Sequence, residues 1–171
     1  MRKLLLILCC ICSFAFALAQ PPAMELVQRG FEPVTVPFPA TPAEKLIDLT
    51  RNWAFEFNRR EGGFDVTNVT PNTITITANK ENAFFYRERG QAFDHEIRYE
   101  MQLSFNSGSY TLNFVVTEIY HNNKRIDYTI PDYFTREGRL KEGYEELERS
   151  LEASVNNIVK SHYNYLNNFR E

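Results

Sequence analysis

The feature that most limits the possible folds of this chain is a long two-residue alternation in the sequence HEIRYEMQLSFNSGSYTLNFVVTEIYH. Apolar side chains occupy every second position on both sides of a turn at Asn106 to Ser109, and polar or charged side chains lie between them. A period of two places all the apolar residues on one face of a strand. The stretch therefore predicts one antiparallel hairpin with a buried face and a solvated face. The alternation falters between Val115 and Ile119, which predicts a bulge or an edge change near Thr117.

Shorter patterns predict the remaining strands. The sequence TITITAN at residues 73–79 alternates isoleucine and alanine with threonine, as in a sheet with one solvated face. FDVTNV precedes it and is joined to it through Pro71 and Asn72, which predicts a second hairpin. Three more short strands are predicted at Val34–Phe38, in the sequence AFFYRE, and at residues 125–130, where Pro131 ends the last of them.

The sequence TPAEKLIDLTRNWAFEFNRREGG predicts an amphipathic helix with both ends marked. Thr41 is the predicted N-cap, Pro42 occupies the first helical position, and Glu44 completes a capping box. Gly62 and Gly63 are expected to end the helix. The apolar residues at helical spacing are Leu46, Leu49, Trp53 and Phe57.

The end of the chain carries a second and longer helical pattern. Its apolar stripe comprises Leu140, Tyr144, Leu147, Leu151, Val155, Ile158, His162, Tyr165 and Phe169. A helix over this whole stripe would be roughly 45 Å long, which exceeds what a domain of this size covers. We therefore expect its last turns to overhang or fray. His162 is then either a half-buried packing residue or an exposed residue near the frayed end.

The first 19 residues have the pattern of a secretory signal peptide. Arg2 and Lys3 precede an apolar run that ends in Ala17, Leu18 and Ala19. The predicted cleavage follows Ala19, and no later segment approaches the roughly 20 apolar residues of a membrane-spanning helix. The mature chain is therefore expected to be exported to the periplasm or the outer envelope of a bacterium.

All three cysteines lie inside this apolar run, at Cys9, Cys10 and Cys12. They act there as small hydrophobic residues, so the mature chain has no thiol and no disulfide. The alternative is lipoprotein processing, in which one of these cysteines becomes an acylated N-terminus. A lipobox normally shows leucine and two small residues before its cysteine, and these positions do not match that pattern well.

The mature chain is predicted to hold one domain. Residues 20–33 form an expected extended leader, whose docking the sequence leaves open, and residues 34–171 form the domain. Loss of Arg2 and Lys3 raises the excess of the 22 acidic over the 19 basic side chains from three to five. The basic residues occur in short, interrupted groups, so a nucleic-acid partner is not expected.

The order of these elements resembles a known family. The sequences VTVPFPATPAEKLIDLTRNWAFEF, YEMQLSFNSGSYTLNFVVTEIYH and GYEELERSLEASVNNIV, behind a signal peptide, resemble exported bacterial domains of unknown function whose fold is similar to the TATA-binding protein. The resemblance covers roughly residues 34 to 160. It implies an α+β fold in which a curved antiparallel sheet carries two helices on one face, including a long C-terminal helix, and leaves the other face open.

The open face predicted in this way is a candidate binding surface. Its residues are Arg98, Glu100, Gln102, Ser104, Thr111 and Asn113. The face is mixed in charge and lacks the apolar wedges with which the TATA-binding protein kinks DNA, so DNA binding is not inherited from the fold. Loop aromatics, above all Phe85 and Tyr133, could extend the surface towards a protein or a small apolar ligand. The alternative for these aromatics is ordinary core and loop packing.

Catalytic equipment is sparse. The mature chain has no thiol nucleophile and no G-x-S-x-G elbow, and its three histidines are His95, His121 and His162. If Phe105 pairs with Tyr110, continuous pairing places His121 opposite Asp94, so that Asp94, Glu96 and His121 share a face as a candidate metal site. A bulge in the hairpin would spoil this alignment, and the alternative is a solvated ion pair at the end of the hairpin.

The sequence therefore predicts an exported, non-enzymatic binding module without a cofactor, whose partner is an unknown protein or small ligand. One alternative is a small metal-dependent hydrolase that uses Asp94, Glu96 and His121. The other is a structural envelope protein that associates through its C-terminal helix.

Overall fold

The structure is a computed structural model that describes residues 20–59 and 62–170. The predicted signal peptide and its cysteines lie outside the described residues. The strands are β1 (Leu26–Val27), β2 (Gly30–Phe31), β3 (Val34–Pro37), β4 (Phe64–Thr67), β5 (Thr73–Glu88), β6 (Gln91–Asn106), β7 (Ser109–His121) and β8 (Lys124–Ile126). The helices are α1 (Ala43–Asn58), a 3₁₀ helix (Ile130–Tyr133) and α2 (Glu145–Phe169).

An antiparallel sheet with the order β3-β7-β6-β5-β4 forms the body of the domain, and β8 pairs with the far end of β7. The predicted hairpin is confirmed as β6 and β7, with Phe105 opposite Tyr110. The sequences TITITAN and AFFYRE, predicted as two strands, form the single strand β5. Its pairing with β6 is irregular between Lys80 and Phe84, where Asn82 has a φ of 49°. The irregularity lets one strand continue across the break in the sequence pattern.

Both helices pack on one face of this sheet, as predicted. Side chains from alternate positions of β6 point towards them and are buried, namely His95, Ile97, Tyr99, Met101, Leu103 and Phe105. The other face of β6 is partly exposed along its length. The fold is therefore α+β, with a long C-terminal helix and one sheet face free of helices.

The predicted cap of α1 is wrong in its detail. The helix begins at Ala43, and Pro42 occupies the N-cap position without a side-chain cap. The Thr41 hydroxyl donates to the carbonyl of Pro39, at 3.0 Å, in the chain that precedes the helix. At the other end the N–H of Gly63, which has a φ of 91°, donates to the carbonyl of Asn58. A left-handed conformation of this kind favours glycine.

The predicted overhang of the last helix is also wrong. α2 begins at Glu145, after the turn at Gly143, and its 25 residues span about 38 Å. Its apolar face is buried as far as Leu166, and Phe169 is exposed. The earlier part of the predicted stripe, including Leu140, lies before the helix. The shorter helix fits the sheet because the chain before Glu145 forms a separate turn against Tyr133.

The leader packs against α2. β1 and β2 form a small antiparallel hairpin that buries Met24, Leu26 and Phe31. The Asn156 side chain accepts from the N–H of Met24 and donates to its carbonyl, at 2.8 and 3.0 Å. A side chain that satisfies both backbone groups of one residue replaces a strand partner. The segment after the predicted cleavage position is thus tied to the core by backbone hydrogen bonds.

Candidate functional site

The bulge between β6 and β7 decides which residues can form a site. Pairing runs continuously from Asn106↔Ser109 to Tyr99↔Val116, and Arg98 then faces Glu118, so Thr117 is the extra residue. The Thr117 hydroxyl donates to the carbonyl of Arg98 at 3.1 Å. The irregularity predicted near Thr117 is confirmed. Beyond it every residue of β7 changes face relative to continuous pairing.

The predicted placement of His121 opposite Asp94 is wrong as a consequence. Glu96 pairs with Tyr120, so His121 lies on the helix-covered face beside His95, and Asp94 and Glu96 lie on the other face. His121 contacts Asp94 through the backbone, because its Nδ1 lies 2.9 Å from the Asp94 carbonyl oxygen. Within residues 20–59 and 62–170, no group of three or more histidine, cysteine, aspartate or glutamate side chains is arranged to hold a metal ion.

Asp94 and Glu96 instead line a polar concavity of about 350 Å³ at the open side of the sheet. Three asparagines near it have left-handed backbone conformations, Asn82, Asn122 and Asn123, with φ values of 49°, 50° and 60°. Asparagine tolerates this conformation better than most residues. Asn122 and Asn123 form the turn between β7 and β8, and Asn82 lies at the irregularity of β5.

The predicted binding surface is divided among three places. Arg98, Glu100, Gln102, Thr111 and Asn113 lie together on the helix-free face, partly exposed. They bond to one another and to β4: Asn113 donates to Gln102, Gln102 donates to Glu100, and Arg98 donates to Asp65, at 3.1 to 3.4 Å. Such a network satisfies much of the polar surface of the strands within the sheet itself.

Phe85 lies apart from that network, at the edge of the sheet. Its backbone N–H donates to the Ser150 hydroxyl of α2 at 3.1 Å, and the Arg87 guanidinium lies 5.4 Å from its ring centroid. Ser154 donates to the carbonyl of Ala83 on the same edge, at 2.6 Å. Two serines of α2 thus occupy hydrogen-bonding positions of β5, which protects the edge from pairing with another chain.

Tyr133 is the last residue of the predicted surface. It is buried, with 2% of its surface exposed, and it forms part of the wall of a pocket. This pocket, called here the tyrosine–histidine pocket, has a volume of about 400 Å³. That is within the range of small-molecule sites. Its walls are Tyr86, His95, His121, Ile126, Asp127, Tyr128, Tyr133 and Tyr144.

The residues that form the pocket come from separate elements, and local interactions fix each of them. Thr129 and Asp132 form a capping box around the 3₁₀ helix, with both the N–H and the hydroxyl of Thr129 donating to the Asp132 carboxylate at 2.7 Å. The N–H of Lys141 donates to the Tyr133 carbonyl at 2.9 Å. Because this turn brings the chain back before α2 begins, Tyr144 lies beside Tyr133, with ring centroids 5.1 Å apart.

The histidines form part of a row of rings across the sheet. His95 stacks on Phe84 of β5 at 4.7 Å and lies 5.0 Å from His121 of β7. The Nδ1 atoms of His95 and His121 lie 2.9 Å from the carbonyl oxygens of Phe93 and Asp94, and each therefore carries the proton and donates. The Nε2 atom of His121 lies 3.0 Å from the Asn122 amide nitrogen, and the Nε2 atom of His95 is left as an acceptor.

The pocket is neutral at its centre. Burial lowers the pKa of His95, with a further contribution from His121 and an opposing one from its bond to the Phe93 carbonyl, so the imidazole is uncharged at neutral pH. Burial also raises the pKa of Tyr86, Tyr133 and Tyr144. These phenols therefore retain their protons throughout the physiological range.

Sequence reasoning placed Tyr86 and Tyr133 among the aromatic residues of edges and loops, but it did not bring His95, His121 or Tyr144 together with them. The signal that could have found them is the alternation of β6, which places His95 on the buried face. Once Thr117 is counted as a bulge, His121 must lie beside His95. Tyr144 had been assigned to the apolar stripe of the last helix, and Gly143, which has a φ of 91°, is the sequence signal for the turn that separates it from α2.

Comparison with solved structures establishes the fold. A TBP-like protein from Parabacteroides distasonis superposes with a TM-score of 0.56, at 13% identity over 80% of this chain and 92% of that chain. A DUF4468 family protein from Bacteroides ovatus gives a TM-score of 0.51, also at 13% identity, over 89% and 87%. The predicted resemblance to TBP-like bacterial domains of unknown function is confirmed at the level of the fold.

No family model and no curated protein matches the sequence. Among the described residues, no helix is long and apolar enough to cross a membrane.

Proposed function

We propose that this protein is an exported, non-enzymatic binding module that holds a small ligand in the tyrosine–histidine pocket. The observation that carries the proposal is the pocket itself, in which four tyrosines and two histidines from five separate segments meet around about 400 Å³. Concave sites of this size, lined mainly by aromatic rings with a few polar groups, are typical of ligand binding. Tyr128, at 52% exposure, leaves the pocket accessible from solvent.

Export is supported by the sequence of residues 1–19, with its basic start, apolar run and small residues before the predicted cleavage after Ala19. The non-enzymatic part of the proposal is supported by the position of His121. The bulge removes it from the carboxylates of Asp94 and Glu96, which were the acid partners that the hydrolase alternative required.

The structural alternative, association through the last helix, has less support. The residues of α2 that could have formed an exposed apolar stripe are used inside the domain, because Leu147, Leu151, Val155, Ile158 and Leu166 are all buried. What remains exposed near its end is Phe169. A single exposed aromatic residue is ordinary for a monomer surface.

Native mass spectrometry tests the proposal. The protein is isolated from the envelope fraction of its source cells in three forms: wild type, a Tyr86→Leu/Tyr144→Leu variant, and a Tyr120→Leu control. Tyr120 lies on the opposite face of the sheet from the pocket. We expect a chain that begins at Gln20 and carries a small extra mass in the wild type and the control, and no extra mass in the pocket variant.

An identical extra mass in all three forms would contradict the pocket as the site, and a bare chain in all three would contradict tight ligand binding. Recovery from the cytoplasm with residues 1–19 still attached would contradict export. Circular dichroism on each form establishes that the variants are folded before their masses are compared.

A further inference from the structure

The walls of the tyrosine–histidine pocket have a geometry that restricts what can bind there. The rings of Tyr86 and Tyr144 lie 4.9 Å apart with an interplanar angle of 65°, and those of Tyr133 and Tyr144 lie 5.1 Å apart at 69°. Tyr128 meets Tyr133 at 5.7 Å and 42°. Rings at such steep angles form adjoining walls of a concavity. Tyr86 also stacks on Phe93 and His95, with ring centroids 5.6 and 5.2 Å apart.

Carboxylates lie near these rings, and the Lys141 ammonium lies near one of them, Asp132. Glu88 raises the pKa of both Tyr86 and Tyr144, and Asp132 raises that of Tyr133, in each case after the larger effect of burial. Asp127 lines the pocket directly. The nearby anions therefore make the pocket unfavourable for an anionic ligand.

The buried histidine of the pocket, His95, adds no positive charge that would offset these carboxylates. His95 is 3% exposed, and burial lowers its pKa, so it presents a neutral ring with an Nε2 lone pair. A positively charged ligand would thus meet aromatic faces, a lone pair and a carboxylate.

We propose that the pocket binds an organic cation, an ammonium group with methyl or methylene substituents, against the rings of Tyr86, Tyr128 and Tyr144, with Asp127 as the counter-charge. This rests on the proposed function above and names its ligand class. The faces of aromatic rings carry negative potential and attract cations within about 6 Å of the centroid, and the alkyl substituents keep the desolvation cost of the cation low.

Choline and its neutral isostere 3,3-dimethyl-1-butanol are the probes, because they share a shape and differ in charge. Purified full-length protein is titrated with each while the aromatic resonances are followed by NMR. We expect choline to shift the pocket tyrosines and to bind at least about tenfold more tightly than the alcohol, which is the range of a partly desolvated cation–π site.

Two substitutions at one position separate the ring from its hydroxyl. Tyr144→Phe retains the aromatic face, so choline affinity should change by less than about twofold, whereas Tyr144→Leu should weaken it about tenfold. Tyr120→Leu, on the other face of the sheet, should leave the affinity unchanged. The dispersion of the remaining resonances reports whether each variant is folded.

Equal affinity for choline and the alcohol would overturn the cation inference while leaving the pocket as the ligand site. A loss of choline binding that is the same in Tyr144→Phe and Tyr144→Leu would also overturn it, because the hydroxyl and not the ring would then be responsible. Absence of any shift with millimolar choline would overturn it as well. The mass comparison of the envelope-derived protein would still decide the proposed function separately.

Discussion

Two clusters of histidine and tyrosine lie on the same helix-covered face of the sheet, and they differ in access to solvent. At one end His162 packs against Trp53 and Tyr110, with ring centroids 5.0 and 5.7 Å away, and is fully buried. At the other end His95 packs against Tyr86 and His121 at 5.2 and 5.0 Å, beside a pocket. Similar residues thus form a closed core in one place and a candidate site in the other.

The difference comes from what covers each cluster. α1 and α2 enclose His162, and its Nε2–H donates to Thr50, which in turn donates to the Leu46 carbonyl. A turn and a short 3₁₀ helix cover the His95 cluster, and they leave the space that Tyr128 and Tyr144 line. Composition alone therefore does not separate a packing cluster from a binding site; the covering elements do.

The largest expected effect is on stability at the enclosed cluster. Trp53→Ala should lower the free energy of unfolding by about 3–5 kcal/mol, because it leaves a cavity between α1 and α2 and removes the bond from the indole N–H to Ser161. Tyr128→Ala, at the pocket mouth, should cost less than about 1 kcal/mol. Urea unfolding measures both. Equal losses would contradict the distinction between the two clusters.

The next effect is a dependence of stability on pH. Burial lowers the pKa of His162 from 6.5 to about 3, so below pH 6.5 the unfolded chain binds a proton that the folded chain does not. Stability should therefore fall on acidification, by about 1.4 kcal/mol for each pH unit below 6.5, until the pH approaches the folded value.

The His162→Gln variant tests this assignment, since glutamine can still donate to Thr50 but does not titrate. Its stability should be flatter between pH 6.5 and about pH 5, above the range in which most carboxylates titrate. The quantity to compare is the slope in wild type and variant, because the substitution also changes absolute stability. Identical slopes would show that His162 does not cause the acid sensitivity.

A smaller effect on stability, but a decisive one on the pocket, is expected from deletion of Thr117. Continuous pairing of β6 with β7 would turn His121 to the helix-free face and bring Tyr120 towards His95. The same change would move Ile119, which is 1% exposed, out of the core and turn Glu118 towards it, so the cost should be about 1.5–3 kcal/mol. Loss of the NMR contact between the rings of His95 and His121 is the expected result. Persistence of that contact would mean that the loop at residues 122 and 123 absorbs the deletion.

The smallest effect on stability is expected from Tyr144→Leu. Tyr144 is half-buried and precedes α2, so its replacement should change the free energy of unfolding by less than about 1 kcal/mol while weakening the binding of an organic cation. Thermal unfolding and the choline titration check the two halves of this prediction. A large loss of stability would indicate that Tyr144 holds the turn and does not serve as a pocket wall.

Much of the fold could be predicted because its periodicities are long. The hairpin of β6 and β7, the hairpin of β4 and β5, α1 and the core of α2 all follow from alternating or helical apolar patterns. The residues at which helices begin and end were harder to predict. Thr41 and Glu44 have the spacing of a capping box, yet the Thr41 hydroxyl bonds to Pro39. Such choices depend on the path of the preceding chain, which local sequence does not determine.

The site was less predictable than the fold because one extra residue, Thr117, changes the face of the sheet on which His121 lies. The sequence indicated a bulge near Thr117, but the predicted placement of His121 opposite Asp94 assumed continuous pairing, and the bulge turns His121 to the other face. Tyr133 was a candidate for the binding surface, with core and loop packing as the alternative, and it is buried. His162 was expected to be a half-buried packing residue or an exposed residue near a frayed end, and it is fully buried. These outcomes depend on contacts between residues that are distant in sequence, and the periodicity of a single segment does not predict such contacts.

The most direct test of the central claim, that the open cluster and not the enclosed one is the ligand site, is the choline titration of the full-length protein read out by aromatic NMR at millimolar ligand. The result expected is a saturable shift of Tyr86, Tyr133, Tyr144, His95 and His121, with Trp53 and His162 unchanged. Shifts at Tyr120 on the helix-free face, without shifts in the pocket, would contradict it.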